Sequence, residues 1–196
     1  MTTRAATVKR ATSETDIELS LELDGTGEST VKTGIGFFDH MLTAFSRHGL
    51  FDLTLDCKGD LEVDQHHTVE DVGICLGQAL SEALRDKRGI MRFGHAYVPM
   101  DDALVRVTVD LSGRSYLVLT PDPQDGMVGD FPATLVLEFL RALADHGRLN
   151  LHVDLLRGSN DHHGIEALFK ALGRALCEAT VINDWISGVP STKGQL

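Results

Sequence analysis

Thiol chemistry has little place in this chain. Its cysteines, Cys57, Cys75 and Cys177, are odd in number and show no C-x-x-C spacing. A disulfide framework and a thiolate zinc site are therefore both poor expectations. They read as reduced thiols, Cys75 and Cys177 being packed within helices. Basic residues are also scarce, 18 Lys and Arg against 29 Asp and Glu, for a formal charge of −11. That balance argues against broad nucleic-acid binding and leaves room for an anionic small substrate only where cations are concentrated locally. No apolar run approaches the ~18 residues of a membrane span. The start, Met1 to Lys9, lacks the apolar centre of a secretory signal. A cytoplasmic protein without membrane or nucleic-acid partners is expected. Nothing resembles a nucleotide loop or a Ser-His-Asp order.

What the chain does have is a stretch written twice. The first copy runs His66-His67-Thr68-Val69-Glu70 and on through Leu76-Gly77-Gln78-Ala79-Leu80. The second runs His162-His163-Gly164-Ile165-Glu166 and on through Leu172-Gly173-Arg174-Ala175-Leu176, at a constant offset of 96 residues. Val69, Val72, Leu76, Ala79, Leu80 and Ala83 recur at three- and four-residue steps, the mark of one buried helical stripe. Their counterparts are apolar at every position.

The duplication reaches backwards as well. Phe37–Gly49 aligns with Leu135–Gly147 at an offset of 98, both segments ending in His-Gly, and Asp52–Asp56 matches Asn150–Asp154. Alternating apolar residues at Ile17–Leu23 and Leu104–Leu111 predict a strand in each half. A further strand is predicted over Thr30–Ile35, a helix over Phe37–His48 stopped by Gly49, and a strand over Phe51–Cys57. Residues 1–13 read as polar without a regular element. Each half thus reads strand, strand, helix, strand, helix. The expected fold is α+β, two half-domains over 1–90 and 91–196, each a mixed sheet backed by helices, related by a pseudo-twofold axis and forming one unit. Gly188–Leu196 is expected to be a loop-like tail.

The repeated heading has metal-binding chemistry. His and Glu at i and i+4 share a helical face, so His66 with Glu70, and His162 with Glu166, can each chelate one ion. The adjacent His67 and His163 point about 100° away and suit a second ion better than the first. The helix alignment places Glu138 where the first half has His40, adding a ligand for each site. The expected partition is His40, His66, Glu70 and His163 for one ion and His67, Glu138, His162 and Glu166 for the other. Such imidazole and carboxylate sets suit Mn²⁺ or Fe²⁺ and also accept Zn²⁺. The ligands could meet within one chain or between chains. His48 and His146 also correspond, although a histidine at a helix C-terminus suits the dipole without any further role; His95 and His152 read as structural or surface residues.

Further residues carry a resemblance. Gly34-Ile-Gly-Phe-Phe-Asp-His-Met-Leu42, Asp64–Asp71, Asp110-Leu-Ser-Gly-Arg114, Asn160–Ala171 and Pro190-Ser-Thr-Lys-Gly194 together resemble imidazoleglycerol-phosphate dehydratase, from Arg10 to the end of the chain. The resemblance implies a histidine-biosynthesis enzyme that converts imidazole glycerol phosphate to imidazole acetol phosphate. It further implies two Mn²⁺ per active site and a 24-subunit shell with active sites between subunits. The length matches the stand-alone form. Some relatives carry a histidine where this chain has Glu138.

The implied chemistry is demanding, because the proton to be removed from the side chain is barely acidic. Ions on both ring nitrogens would stabilise an imidazolate, which expels the neighbouring hydroxyl through a diazafulvene-like intermediate. A carboxylate base and an acid are then required. Glu70 or Glu166 is one candidate, and Glu14 and Asp101, each just ahead of its half's first predicted strand, are the others. Substrate contacts are expected from Glu14, His40, His48, His66 and His67. By the same resemblance Arg92, Arg114, Ser191, Thr192 and Lys193 hold the phosphate; a Ser-Gly turn before Arg114 and a loop around Lys193 are reasonable places for anion capture. Two other classes share the same ligands. A non-catalytic metal-binding assembly needs no phosphate residues, and a dinuclear hydrolase would show no preference for an imidazole ring.

Overall fold

The computed structural model describes residues 3–196. Its first half contains strands β1 (Ala5–Ala11), β2 (Thr15–Glu22) and β3 (Ser29–Lys32), helix α1 (Gly36–Gly49), strand β4 (Asp52–Gly59) and helix α2 (His66–Leu84). The second contains β5 (Phe93–Met100), β6 (Ala103–Asp110) and β7 (Tyr116–Thr120), a small hairpin of β8 (Met127–Val128) and β9 (Phe131–Pro132), then α3 (Leu135–Gly147), β10 (Asn150–Arg157) and α4 (Asp161–Thr180). The two main sheets have matching orders, β1-β2-β4-β3 and β5-β6-β10-β7. In each, one pair is parallel, β3 with β4 and β7 with β10. The α+β duplication read from the sequence is present, each main sheet carrying one strand more than predicted, β1 and β5.

Alternation explains the register. Ile17, Leu19 and Leu21 of β2 face the core opposite Cys57, Leu55 and Leu53 of β4. Val107 and Val109 of β6 stand opposite Val153 and Leu151 of β10. A slip of one residue would turn either set to solvent, so the pairing is strongly specified. Helices cover these inner faces, and the two helical layers meet between the sheets. The stripe from Val69 to Ala83 and its counterpart from Ile165 to Ala179 are buried throughout. Burial also raises the Cys57 and Cys75 thiols to about 12 and about 11, keeping both protonated.

Two expectations need correction. Residues 5–11, read as polar and irregular, form β1. This is an edge strand with only Val8 buried, so one sequence face never becomes apolar enough to show alternation. Gly49 does not provide the left-handed stop of α1. Leu50 takes that conformation at φ 57°, and Arg148 does so after α3 at φ 51°. The glycines are used instead for close packing. A Cβ on Gly49 would lie 3.0 Å from the Gly173 carbonyl oxygen, and one on Gly77 would lie 2.7 Å from the Gly147 nitrogen.

That packing decides how the halves join. Helix α1 lies against α4, and α2 against α3. Gly173 of α4 sits on the Phe45 and Gly49 backbone, while Gly77 of α2 sits on Leu143 and Gly147. The glycine of each Leu-Gly-x-Ala-Leu repeat is therefore the crossing point between halves. Phe38, Phe139 and Phe169 pack beside these crossings, with ring centroids 5.1–6.4 Å apart.

The first half has one polar tie that the second lacks. Asp71 of α2 accepts a hydrogen bond from the Thr15 hydroxyl at 2.5 Å and pairs with Arg10 at 2.9 Å. It is buried, so these partners compensate for the lost hydration of its charge. The tie fastens the β1–β2 hairpin, and with it Glu14, onto α2. Among the described residues, no helix is long and apolar enough to cross a membrane.

Candidate active site

Both histidine pairs sit at the first turn of a helix. Asn160 caps α4, its side chain accepting from the His163 N–H at 3.3 Å, and Asp64 accepts from the His66 N–H at 2.7 Å. Successive helical side chains diverge, and the rings do so almost identically in the two halves. His66 and His67 are 6.1 Å apart between centroids at 85°, and His162 and His163 are 6.1 Å apart at 80°. Each pair therefore serves two separate surfaces.

The first surface in the second half is a three-residue cluster of His40, His162 and Glu166, whose ligand atoms all lie within 4.8 Å of one another. His162 Nε2 and His40 Nε2 stand 3.1 and 3.4 Å from Glu166 Oε2. Phe37 packs its ring edge against His162 at 5.2 Å. Lys170, one turn further along α4, donates to Glu166 Oε1 at 2.7 Å. Burial alone would raise the Glu166 carboxyl, but Lys170, His40 and His162 carry it below its ordinary value, so it stays ionised. In the first half, His66 Nε2 and Glu70 Oε2 are 3.7 Å apart.

This grouping exchanges a predicted partner. His40 was expected beside His66 and Glu70, and within the chain it stands beside His162 and Glu166 instead. The reason is the helix pairing, since α1 packs on α4 and not on the α2 of its own half. By the same exchange Glu138, expected with His162 and Glu166, lies on α3, the partner of α2, where it bonds to Arg141 at 2.8 Å. His163 is likewise separate from the His66–Glu70 surface, and His67 from His162.

The second surfaces are built from the β1–β2 and β5–β6 hairpin turns, together with Asp60 in the connection from β4 to α2. His67 directs Nδ1 to Asp60 at 3.0 Å and Nε2 towards Glu14 at 3.7 Å. His163 directs Nδ1 to Asp102 at 2.7 Å and Nε2 towards Asp101 at 3.5 Å. Glu14 and Asp101 thus occupy equivalent positions, each facing the outer nitrogen of a second histidine. The bond to Asp60 raises the His67 pKa, and the bond from His163, followed by the Ser159 N–H, lowers that of Asp102. An ionised carboxylate only accepts, so Nδ1 carries a proton in both rings, and in the neutral ring Nε2 keeps its lone pair.

Asp60, Asp102 and Lys170 were not singled out from the sequence. Lys170 was within reach of an i, i+4 reading from Glu166. Asp60 lay inside a Lys-Gly-Asp turn, and Asp102 beside the Asp101 that drew attention.

The anion-binding candidates gather elsewhere. Arg92 holds Asp110 through two bonds of 2.7 and 3.1 Å and donates to the Pro190 carbonyl at 2.9 Å, tying the tail to the sheet. Arg114 is exposed after the Ser112-Gly113 turn, and Leu196 lies against Gly113. Ser191 accepts from the Lys193 N–H at 3.2 Å, leaving the Thr192 and Lys193 side chains exposed. The Arg92 N–H bonds to Ala179, near the far end of α4. At 1.5 Å per residue, that end is about 26 Å from His162. Arg92 and the tail that it holds therefore lie at the opposite end of α4 from the His162 cluster. His48 lies exposed about two turns beyond His40 on α1.

Imidazole and carboxylate donors converging without thiolates fit a Mn²⁺-, Fe²⁺- or Zn²⁺-type ion at His40, His162 and Glu166. An ion there would displace the bonds that these groups make with one another. Each Asp-oriented histidine turns Nε2 away from its orienting aspartate, towards Glu14 or Asp101, and an imidazole held through Nδ1 in this way suits a metal at Nε2.

Comparison with known proteins points to one family. A family model described as imidazoleglycerol-phosphate dehydratase matches residues 33–176. The imidazoleglycerol-phosphate dehydratase of Acetivibrio thermocellus is 57% identical over 189 residues, covering 96% of this chain and 97% of that one. Its Bacillus subtilis counterpart is 55% identical over 193 residues, covering 98% and 100%. Among solved structures, the Staphylococcus aureus enzyme superposes with a TM-score of 0.82 at 41% identity, over 91% of this chain and 99% of its own. The Pyrococcus furiosus enzyme, solved in complex with the compound (S)-C348, gives 0.83 at 40% identity, over 96% and 100%.

Proposed function

The chain belongs to the imidazoleglycerol-phosphate dehydratase family, and from that premise we propose that it is a metal-dependent hydro-lyase of histidine biosynthesis, converting imidazole glycerol phosphate to imidazole acetol phosphate. The observation that carries the metal reading is the paired heading, with each first histidine beside a glutamate and each second one oriented by an aspartate. His40, His66, His67, Glu70, Glu138, His162, His163 and Glu166 form the candidate ligand set, for two Mn²⁺ ions per active site. When bound, the ions supply Lewis acidity to the two nitrogens of the substrate ring, favouring its imidazolate form.

The protein's own groups do the rest. Glu166 is held ionised and flanked by imidazoles, which suits a ligand and not a proton donor. Glu14 and Asp101 stand on hairpin turns beside a histidine Nε2, free to exchange a proton with the substrate side chain and its departing oxygen. The ring then loses its neighbouring hydroxyl through a diazafulvene-like intermediate. Arg114, Ser191, Thr192 and Lys193 take the phosphate, with Arg92 holding their loop in place.

The separation of about 26 Å along α4 supports a site completed between subunits. One chain contributes histidines and a neighbour the phosphate loop, within a homo-oligomer such as the 24-subunit shell, in the cytoplasm. The direct test is turnover: Mn²⁺-loaded protein is incubated with imidazole glycerol phosphate and imidazole acetol phosphate is measured. Absence of product under every metal condition would overturn the assignment. Arg114→Ala and Lys193→Ala are each expected to raise KM about 10- to 100-fold, the loss of a charge-assisted bond. Metal content should stay unchanged, and wild-type KM in both variants would displace the phosphate site from this loop.

A further inference from the structure

Asp60 and Asp102 do the same thing to equivalent histidines, but they are held differently. Asp102 Oδ2 accepts three bonds from the turn before α4, from the Ser159 N–H at 2.7 Å, the Ser159 hydroxyl at 3.2 Å and the Asn160 N–H at 3.3 Å. Its remaining oxygen, Oδ1, faces His163 Nδ1 at 2.7 Å. Among the described residues, the Asp60 carboxylate has no such anchor. Both of its oxygens lie within reach of His67 Nδ1, at 3.0 and 3.2 Å.

We infer that Asp102 is a positioning residue whose anchored carboxylate locks His163 into the Nδ1–H tautomer, keeping the Nε2 lone pair available to a metal ion, whereas Asp60 only favours the corresponding state of His67. The difference follows from hydrogen-bond polarity. If one oxygen of Asp102 is replaced by an amide group, the three donors of Ser159 and Asn160 claim the remaining oxygen, because two N–H groups cannot face an NH₂ group. The amide is then forced towards His163 Nδ1, which has to accept. The ring proton moves to Nε2, and the ligand lone pair is lost. At Asp60 the same change has no consequence of this kind, since the side chain can rotate its carbonyl to His67 and keep the original tautomer. The isosteric change leaves the turn's bonds intact, so the effect is one of proton placement and not of folding.

The inference rests on the metal reading above, and the experiment separates the two. Full-length wild type, Asp102→Asn and Asp60→Asn are stripped of metal and titrated with Mn²⁺ by calorimetry. Asp102→Asn should bind Mn²⁺ about 10- to 100-fold more weakly at one class of site, the range typical of lost outer-shell partners. Asp60→Asn should stay within about threefold of wild type on the same scale, and the stripped proteins should melt alike. Imidazole ¹⁵N spectra, with the His163 signals assigned by their loss in His163→Gln, should show Nδ1–H in wild type and Nε2–H in Asp102→Asn. Wild-type Mn²⁺ affinity in Asp102→Asn, or Nε2–H at His163 in the wild-type protein, would overturn the inference. If wild type takes up no Mn²⁺, the metal reading itself fails, and the spectra still decide the tautomer. Should Asp102→Asn fail to fold, the wild-type spectrum alone remains decisive.

Discussion

Stripping divalent metal from the protein is expected to lower its turnover of imidazole glycerol phosphate roughly a thousandfold, the several kcal/mol that Lewis-acid stabilisation supplies. Added Mn²⁺ should restore it. The surroundings of the histidines explain the size of the effect. Glu14, Asp60 and Glu70 surround one heading, and Asp101, Asp102 and Glu166 the other. A ring gaining negative charge there is repelled unless cations are present. Lys170 is already committed to Glu166 at 2.7 Å. His162→Ala removes one arm of the three-residue cluster and should bring a comparable loss that Mn²⁺ at ordinary concentrations does not repair. Steady-state rates on chelated, reconstituted and variant protein provide the measurement. Full activity in thoroughly stripped protein would sink the metal reading.

The second large effect concerns the crossing between halves. Gly173→Ala is expected to destabilise the protein by about 2–3 kcal/mol, the upper range for overpacking. The added Cβ would lie 2.3 Å from the Phe45 carbonyl oxygen and 3.0 Å from the Gly49 nitrogen. Both are backbone atoms, so no side-chain rotation relieves the clash, and α1 has to move away from α4. For a chain of this size, the melting temperature should fall by roughly 5–10 °C. His40 rides on α1 and His162 on α4, so the same variant should also bind metal more weakly. Gly36→Ala is the control, since nothing lies within 4 Å of its added Cβ. Thermal melts of the three proteins under one condition decide it. If Gly173→Ala melts with wild type, the helices are not held together by this contact.

Those glycines also show what could be read in advance. Leu-Gly-x-Ala-Leu was visible as a repeat because both copies answer to the same helix-on-helix contact. The apolar stripes and the alternation of β2 and β6 were visible because one face of each is fully buried. β1 was not, because an edge strand with a single buried side chain leaves no such trace. The partner of His40 was hidden for another reason. Spacing along a helix orients a side chain relative to its own helix, but which helix lies opposite is fixed by distant residues such as Gly173. Asp60 and Asp102 escaped because the halves have diverged there. At the offset of 98, the counterpart of Asp60 is Gly158, and the second half draws its orienting carboxylate from a hairpin turn instead.

The Arg10–Asp71–Thr15 contact has a bearing on how far the two copies remain exchangeable. The position corresponding to Asp71 is Ala167, so the second hairpin meets its helix without a buried carboxylate, through apolar surface and exposed polar contacts such as that between His95 and Glu178. A gene rebuilt as two second halves would lose only a polar clasp. One that combined the first helix with the second hairpin would trap a carboxylate with neither Arg10 nor Thr15 to meet it, and the product should misassemble. What began as a copy has become a handed pair, and recombination between its members runs safely in one direction only.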